Sequence, residues 1–347
     1  MTIQRAIGWA VAGDEVPQPI LEAAFGEIMD GEATPVGIAA LLVALRVKGE
    51  TVGEIVSAAR ALRARAVTVS GVDPRTVDTC GTGGDGADTF NISTTAAFVV
   101  AGAGVPVAKH GNRAASSRTG SIDVLEALGV KVDLPVEASA RILKEVGVAP
   151  FFARRAHPAM RHVANVRKEL GLRTVMNCLG PLLNPVGVRF QVVGVYDDGL
   201  VPRLAGALAD LGAERALVVH GSDGLDEITT SGTTTAALVE HGEVRKLEID
   251  PATLGIPRPV AGALRGGDAK ESADIVRAVL AGESGARRDV VTLNAAAALW
   301  VAGAAVDLAE GLVAARESID SGAASARLAA VADASQRAFE DSDGEPA

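Results

Sequence analysis

Glycine and polar residues are concentrated in residues 78–95, the stretch of the sequence with the clearest chemical pattern. Four glycines in it, Gly81, Gly83, Gly84 and Gly86, would let backbone N–H groups approach an oxyanion without a Cβ in the way. A helix is predicted to begin at Asn91 or Ser93, because both residues are good N-caps. Its free N–H groups and positive dipole end would face the same loop. The pattern therefore predicts a binding site for an anion.

The spacing Gly81-x-Gly83-x-x-Gly86 also matches the dinucleotide-binding fingerprint, but the surrounding sequence disfavours that interpretation. The preceding strand is poorly marked, and Asp85 would repel a pyrophosphate unless a cation intervened. No carboxylate ends a second strand about 20 residues later. A Walker loop is excluded because no Gly-Lys-Ser/Thr closes the segment. A tight turn without a ligand remains the alternative.

A second polar loop, residues 110–117, follows a predicted strand at 105–109. The residues there that suit phosphate are Lys109, Gly111, Asn112, Arg113, Ser116 and Ser117. Gly120 and Ser121 then begin another helix, which offers a second dipole end to anions. Ligands of open α/β sheets bind beyond the carboxyl ends of strands. Two such loops together predict a site for a highly anionic substrate, against the alternative of a solvated loop.

Adjacent carboxylates, Asp226 and Glu227, follow a predicted strand at 216–220. By itself this segment would be a solvated acidic turn. Next to a diphosphate site it predicts magnesium ligands, because Mg²⁺ prefers carboxylate oxygens combined with phosphate partners. A metal would also let Asp85 and this pair coexist with an anionic substrate.

The remaining pattern predicts an α/β fold with a mainly parallel sheet flanked by helices, preceded by a small helical domain. Helical spacing of apolar residues covers about 18–66, and residues 268–339 again read as helices. Further strands are predicted at 191–196 and 234–240, and further helices at 93–102, 121–128, 136–146 and 200–211. The last residues, 341–347, form an acidic tail.

Composition restricts the class of protein. Hydrophobic residues make up 48% of the 347 residues and charged residues 22%, so the chain can bury a core. A net charge of −10 and an aromatic content of 3% argue against a nucleic-acid or membrane-surface binder. Cys80 and Cys178 show no metal-type spacing and are predicted to be buried free thiols. The N-terminus has no signal-peptide pattern, and no apolar run is long enough for a membrane span, so a cytoplasmic location is expected.

Several long segments closely resemble the signature segments of anthranilate phosphoribosyltransferases. They include GTGGDGADTFNISTTAAFVVAGAGV, KHGNRAASSRTGSIDVLEALGV, HPAMRHVANVRKELGLRTVMNCLGPLLNP and HGSDGLDEIT. Similarity extends to MDGEATPVGIAALLVALRVKGET and RGGDAKESADIVRAVLAGESG, and so covers nearly the whole chain.

The resemblance implies a nucleoside-phosphorylase-type fold. A helical domain of residues 1–72, with a returning segment at about 173–188, would accompany an α/β domain of residues 73–172 and 189–340. The active site would lie at the hinge between them. Members of the family are homodimers joined through the helical domain, with two Mg²⁺ ions per subunit.

The same resemblance implies roles for particular residues. Those that would bind 5-phosphoribosyl 1-diphosphate (PRPP) are Gly81, Gly84, Asp85, Thr89, Asn91, Ile92, Ser93, Thr94, Lys109, His110, Gly111, Asn112, Arg113, Ala114, Ala115, Ser116, Ser117 and Ser121. Anthranilate would meet Gly81, Asn112 and Arg167, and the metal ligands would be Ser93, Asp226 and Glu227. Arg167 also suits this role on its chemistry, because a guanidinium can pair with the substrate carboxylate.

The sequence departs from the family pattern at Ile122, Asn165 and Met176, which affects the expected path of anthranilate more than the reaction. The expected reaction is displacement of diphosphate at C1 of the ribose by the arylamine. A neutral amine has a free lone pair, so no general base is required. His110 is a weak candidate for late proton acceptor. Alternatives are a pyrimidine-nucleoside phosphorylase, a NAD-dependent dehydrogenase and a non-catalytic nucleic-acid binder.

Overall fold

The computed structural model of this chain describes residues 2–114 and 118–343. Three residues of the predicted donor site, Ala115, Ser116 and Ser117, lie outside these ranges, as do residues 344–347 of the acidic tail.

Strands within the described ranges form one seven-stranded sheet. They are β1 (Val77–Gly81), β2 (Val107–Gly111), β3 (Val148–Phe152), β4 (Phe190–Gly194), β5 (Arg215–Gly221), β6 (Thr234–Glu240) and β7 (Glu243–Ile249). The spatial order is β3-β2-β1-β4-β5-β6-β7. The first five are parallel, and β6 and β7 are added antiparallel. The predicted α/β fold with a mainly parallel sheet and a small helical domain is confirmed.

Helices surround this sheet and form the N-terminal part of the chain. They are α1 (Thr2–Val11), α2 (Gln18–Met29), α3 (Pro35–Lys48), α4 (Val52–Arg63), α5 (Ile92–Gly102), α6 (Ser121–Ala127), α7 (Val136–Val146), α8 (Ala153–Ala156), α9 (Arg161–Leu170), α10 (Met176–Leu179), α11 (Leu200–Asp210), α12 (Ala269–Leu280), α13 (Ala286–Val301), α14 (Leu308–Asp320) and α15 (Ala323–Asp343). The last helix continues to Asp343, so the first three residues of the predicted acidic tail, 341–343, are helical. None of the helices in the described ranges has the length and apolar character needed to cross a bilayer.

Local capping explains where the N-terminal helices begin. Thr34 caps α3 by accepting a hydrogen bond from Gly37 N at 3.2 Å. Thr51 and Glu54 form a reciprocal capping box at the start of α4, which satisfies two N–H groups that the helix leaves unpaired. The buried Glu54 carboxylate also pairs with Lys48 at 2.8 Å and accepts from Val16 N at 2.9 Å. A buried charge requires such partners, and here they join α3, α4 and the preceding loop.

Two hydrophobic clusters divide the interior on the two sides of the sheet. One joins α1–α4 to residues 175–183, α11 and one face of β4, β5 and β6. Val163 and Val166 of α9 belong to this cluster, and α9 contacts α2 and α3. Arg167 is therefore carried on the same side as the N-terminal helices, whereas the sequence-based boundary assigned residues 73–172 to the α/β domain.

The other cluster is built around α5, which follows the glycine-rich loop directly. The buried residues of α5 lie on all sides of the helix, and it packs against β1, α13 and α15. A helix that is apolar all round belongs in a core. The glycine-rich loop is thereby anchored between a buried strand and a buried helix, so its ends are fixed.

Candidate active site

The glycine-rich loop joins the carboxyl end of β1 to the start of α5. Gly83, Gly84 and Gly86 have φ values of 67°, 80° and 72°, in the left-handed region that favours glycine. Gly81 faces the carboxylate of Asp226, and a Cβ added at Gly81 would collide with that side chain. These glycines are therefore required both by the turns of the loop and by the close approach of the acidic segment.

The acidic pair follows β5 and contacts this loop. Asp226 Oδ2 accepts a hydrogen bond from Gly83 N at 2.7 Å, and Glu227 Oε1 accepts one from Ser93 N at 3.0 Å. Burial raises the pKa values of both carboxyl groups; the neighbouring Asp85 adds to the shift at Asp226, and Asp226 adds to the shift at Glu227. Both carboxyl groups are therefore harder to ionise here than in water.

Lys109, in the middle of β2, is a buried cation. Its ammonium donates to Thr79 O at 2.5 Å and lies 3.4 Å from Ser93 Oγ. It also attracts Glu227, because its charge opposes the upward shift of the Glu227 pKa. Lys109, Ser93 and Glu227, which lie in three separate stretches of the sequence, thus meet at one edge of the sheet.

The residues between the loop and α5 are positioned mainly by backbone contacts. Asn91 occupies the N-cap position without capping the helix, and its Nδ2 donates to Thr119 O at 3.3 Å. Its Oδ1 is buried and has no hydrogen-bond partner among the described residues. Thr89 forms an isolated bridge with Arg265. Ile92 and Thr94 are buried, and they anchor the first turn of α5 in the core.

Arg113 is not free to grip a phosphate in this conformation. Its guanidinium donates to both carboxylate oxygens of Glu126 at 2.7 Å and to Asp123 Oδ1 at 3.0 Å. The other Asp123 oxygen accepts from Ala114 N at 3.0 Å and Gly120 N at 2.9 Å, so the first turn of α6 organises the whole corner. Arg113 would have to exchange acidic partners for a phosphate to act as predicted.

Asn112 and Ser121 are joined across the basic loop, and Gly111 fits against them. Ser121 Oγ lies 3.4 Å from Asn112 O, and Asn112 Oδ1 accepts from Arg113 N at 2.9 Å. A Cβ on Gly111 would collide with Ser121 Oγ. The side-chain amide of Asn112 is exposed and able to meet a ligand.

His110 is buried against His157, with ring centroids 5.3 Å apart. Burial, assisted by His157, lowers the pKa of His110 to about 3. Its Nε2 has no hydrogen-bond partner among the described residues, so the neutral ring presents an open position. A pKa this low disfavours the role of proton acceptor that was considered for His110.

Arg167 lies partly buried on α9, and burial lowers its pKa. Its guanidinium forms no hydrogen bond or ion pair with any residue in the described ranges 2–114 and 118–343. A partly desolvated guanidinium without a carboxylate partner suits recognition of a substrate carboxylate. Of the positions that depart from the family pattern, Ile122 and Met176 are buried and Asn165 is exposed on the same helix.

Sequence reasoning missed Arg173, which follows α9. Its guanidinium donates to Gly84 O and lies over the Tyr196 ring, 4.1 Å from the centroid. It therefore links the glycine-rich loop to the segment that returns to the helical side. The residue was within a quoted segment, but its partners are distant in sequence and left no local pattern.

Replacing Arg173 by Met is expected to raise the KM for the anionic substrate of the glycine-rich loop about tenfold. A hydrogen bond from a charged donor contributes about 1.5–3 kcal/mol, and its loss would free the Gly84 peptide. Steady-state kinetics would measure the effect, with Arg189→Met as the control because Arg189 forms an exposed ion pair with Glu214. Equal KM values in both variants would contradict a positioning role.

A second unpredicted element, residues 264–267, forms hydrogen bonds with segments next to both loops. Phe90 N donates to Leu264 O at 3.2 Å, and Gly266 N donates to Asp88 O at 2.9 Å. Thr119 Oγ1 donates to Gly267 O at 2.9 Å. A Cβ on Gly266 would lie 2.7 Å from Phe90 N, so glycine is needed for this contact.

No group of three His, Cys, Asp or Glu side chains within the described residues forms a metal cage on its own. Asp226, Glu227 and the Ser93 hydroxyl nevertheless offer oxygens close together. An open oxygen set of this kind holds Mg²⁺ when a substrate phosphate completes the coordination. The two predicted thiols, Cys80 and Cys178, are buried and free, as expected from the sequence.

Comparisons with known proteins agree with this arrangement. Residues 73–325 match the family model described as "Glycosyl transferase family, a/b domain", and residues 9–66 match its helical bundle domain. The anthranilate phosphoribosyltransferase of Moorella thermoacetica is 54% identical over 95% of this chain and 97% of its own length. That of an Anaeromyxobacter strain is 55% identical over 94% and 96%.

Solved structures give the same result. A crystal structure of anthranilate phosphoribosyltransferase from Thermus thermophilus superposes with a TM-score of 0.90 at 43% identity, covering 95% of this chain and 99% of the other. The Saccharomyces cerevisiae enzyme in complex with PRPP and Mg gives a TM-score of 0.88 at 28% identity, covering 97% and 98%. By sequence and by fold, over nearly its entire length, this chain belongs to the anthranilate phosphoribosyltransferase family.

Proposed function

We propose that this chain transfers the phosphoribosyl group of PRPP to the amine of anthranilate. The products are N-(5-phosphoribosyl)anthranilate and diphosphate, in the second step of tryptophan biosynthesis from chorismate. The observation that supports this most strongly is the meeting of three elements at the carboxyl edge of the sheet. These are the glycine-rich loop after β1, Lys109 in β2 and the Asp226–Glu227 pair after β5.

Magnesium fits the acidic side of this crevice. The pKa values of Asp226 and Glu227 are raised because negative groups are crowded and partly desolvated, and a divalent cation would relieve that repulsion. Ser93, Asp226 and Glu227 would hold it, and the full complement would be two ions per subunit. Bound Mg²⁺ would neutralise charge on the departing diphosphate. The S. cerevisiae relative, whose structure is described as a complex with PRPP and Mg, supports this assignment.

The residues of the chain would act by positioning and by electrostatic stabilisation. Charge moves from the ribose to the diphosphate as the C1–O bond breaks, so fixed donors near the leaving group are worth most. Lys109 supplies fixed positive charge, and the N-terminus of α5 adds the positive end of a helix dipole beside the same loop. The remaining donor contacts would come from the predicted residues of both loops, including Gly84, Asp85, Thr89 and the Lys109–Ala114 segment.

Anthranilate would approach from the helical side. Arg167 would pair with its carboxylate, while Asn112 and the backbone at Gly81 would contact the ring or amine. This placement leaves the amine lone pair free to attack C1 from the face opposite the diphosphate. The proton released from nitrogen can pass to solvent or to the diphosphate, since no general base is required.

We also infer a homodimer formed through the helical domain. Trp9 on α1 and Val36 and Val47 on α3 are 42%, 80% and 82% exposed. Large exposed apolar side chains on helices are a feature of subunit interfaces. Sedimentation equilibrium at the mass of a single chain would contradict this inference. A cytoplasmic location stays a prediction of the sequence.

Anthranilate fluorescence provides the direct test of the activity. With PRPP and Mg²⁺ present, the fluorescence of anthranilate should decrease with time as the wild-type protein consumes it. The decrease should stop when EDTA removes the metal. Calorimetric titration with PRPP and Mg²⁺ would measure donor binding separately. Absence of both turnover and donor binding would overturn the proposed function.

A further inference from the structure

The pairing between strands β1 and β2 is very short. Only Val77 and Val107 are paired between these two strands, within the described residues. By contrast, β1 pairs with β4 through five residues, and β2 pairs with β3 through five. The two strands that carry the glycine-rich and basic loops therefore part toward the end where the donor would bind.

Side chains replace the missing backbone hydrogen bonds in this gap. Asp78 Oδ1 accepts from His110 N at 3.3 Å, which supplies the acceptor that a β1 carbonyl would otherwise provide. Asn184 Nδ2 donates to Asp78 Oδ2 and to Ala108 O, each at 2.9 Å. Asp78 is 0% exposed and Asn184 is 7% exposed, so the bridge is shielded from water.

Asn184 enters this gap from outside the sheet. It follows Leu182 and Leu183, which pack in the cluster of the N-terminal helices, and its Oδ1 accepts from Val186 N at 3.1 Å. A single amide therefore ties the returning segment to β1, through Asp78, and to β2, through Ala108. Its hydrogen bonds set how far apart these strands lie at that level.

Asp78 also lies close enough to Lys109 for the two charges to interact. Among the described residues, the ammonium of Lys109 donates hydrogen bonds to the uncharged oxygens of Thr79 and Ser93. Burial raises the pKa of Asp78 to about 6, and the charge of Lys109 and the bond from Asn184 oppose the rise. The carboxylate is therefore available as a counter-charge for Lys109 at neutral pH.

We propose that Asp78 and Asn184 are positioning residues for the donor site: they fix the separation of the two anion-binding loops and hold Lys109 toward the diphosphate. The proposal rests on the proposed function, because it concerns how the same site binds PRPP. Neither side chain needs to touch the substrate.

Truncating Asn184 to Ala, with Gln191→Ala as the matched control, tests this role. Gln191 is a buried amide on β4 that donates to Pro181 O at 2.8 Å, so it ties the same returning segment to the sheet without bridging β1 and β2. Misplacement of a binding loop by about 1 Å can cost about 100-fold in rate. We expect kcat/KM for PRPP to fall 10- to 100-fold, roughly, in Asn184→Ala and less than about threefold in Gln191→Ala.

The KM for anthranilate distinguishes a positioning role at the donor site from a general loss of stability, which would affect both substrates. It should change less than kcat/KM for PRPP does in Asn184→Ala, because Arg167, which would bind the anthranilate carboxylate, lies on α9 and outside both loops. Equal kinetic losses in Asn184→Ala and Gln191→Ala, or a loss confined to anthranilate, would overturn the proposal.

A second variant, Asp78→Asn, keeps the volume and removes the charge. Its amide would face the Asn184 amide and no longer balance Lys109, so donor binding by calorimetry should weaken at least about tenfold. Unchanged donor affinity in folded Asp78→Asn protein would refute the proposal even if Asn184→Ala failed to fold. Wild-type turnover of anthranilate is measured in the same series, so failure of the proposed function would be seen separately from failure of this inference.

Discussion

Replacing Asp226 by Asn together with Glu227 by Gln is expected to lower magnesium-dependent turnover by about a thousandfold while raising the Tm of the ligand-free protein. The loss of activity follows from removing the carboxylates that would hold Mg²⁺ against the diphosphate. The gain in stability follows because burial and mutual repulsion raise both pKa values, so the ionised pair destabilises the empty site. Both amides keep an oxygen to accept from Gly83 N and Ser93 N.

The sign of the pH dependence gives this prediction a second readout. A carboxyl group whose pKa is raised on folding costs stability as pH rises from its unfolded toward its folded pKa. The Tm advantage of the double variant should therefore be larger at mildly alkaline than at mildly acidic pH, as measured by thermal unfolding.

The control for these measurements is Asp223→Asn in the same loop. Asp223 is exposed and accepts from Thr229 Oγ1 at 2.7 Å, which an amide oxygen can also do. It should leave activity and Tm nearly unchanged. Wild-type turnover in the double variant would show that the pair does not hold the metal.

Replacing Arg167 by Met should raise the KM for anthranilate by at least about 30-fold and leave the KM for PRPP within about twofold. Removing one member of a partly desolvated charge pair costs about 2–5 kcal/mol, because the carboxylate is left without its partner. Met retains much of the length of the side chain, so packing on α9 is largely preserved. Steady-state kinetics with each substrate varied in turn would measure both constants.

Aniline, which lacks the carboxylate, makes this test specific. Wild-type protein should use anthranilate with a much higher kcat/KM than aniline. In Arg167→Met, kcat/KM for anthranilate should fall while that for aniline stays unchanged, so most of the preference should be lost. Arg161→Met on the same helix is the control, because Arg161 is exposed. Equal shifts in the two KM values would refute the placement of the carboxylate.

Local sequence patterns were enough to predict the strands that carry β-branched residues. The strand predicted at 234–240 coincides with β6, and those at 191–196 and 216–220 overlap β4 and β5. β1, β3 and β7 were not assigned. β1 contains Asp78 and a glycine, which suit the gap beside β2 rather than a regular strand, and β7 is an exposed edge strand with alternating charges. His241 and Gly242, with positive φ, make the turn that reverses β6 into β7.

The candidate site was predictable where its chemistry lies within one loop, and not where it depends on distant partners. Glycine-rich loops and adjacent acidic residues can be recognised in the sequence, because their physical role depends on neighbouring residues. The contacts of Arg173 with Gly84 and of Asn184 with Asp78 join segments about a hundred residues apart and leave no periodic signal. The ion pairs that occupy Arg113 were missed for the same reason, since Glu126 reads only as a surface residue of α6.

Because α9 packs against α2 and α3, the residues proposed to bind anthranilate are divided between the N-terminal helices and the loops of the sheet. Arg167 packs with the N-terminal helices, whereas the donor loops follow strands β1 and β2. When two substrates share one site, the first to bind bears the cost of ordering that site. Linkage then makes each substrate raise the affinity for the other by the same factor. Because Gly81 and Asn112 of the donor loops are proposed to complete the anthranilate site, we expect anthranilate to bind more tightly after PRPP has ordered those loops.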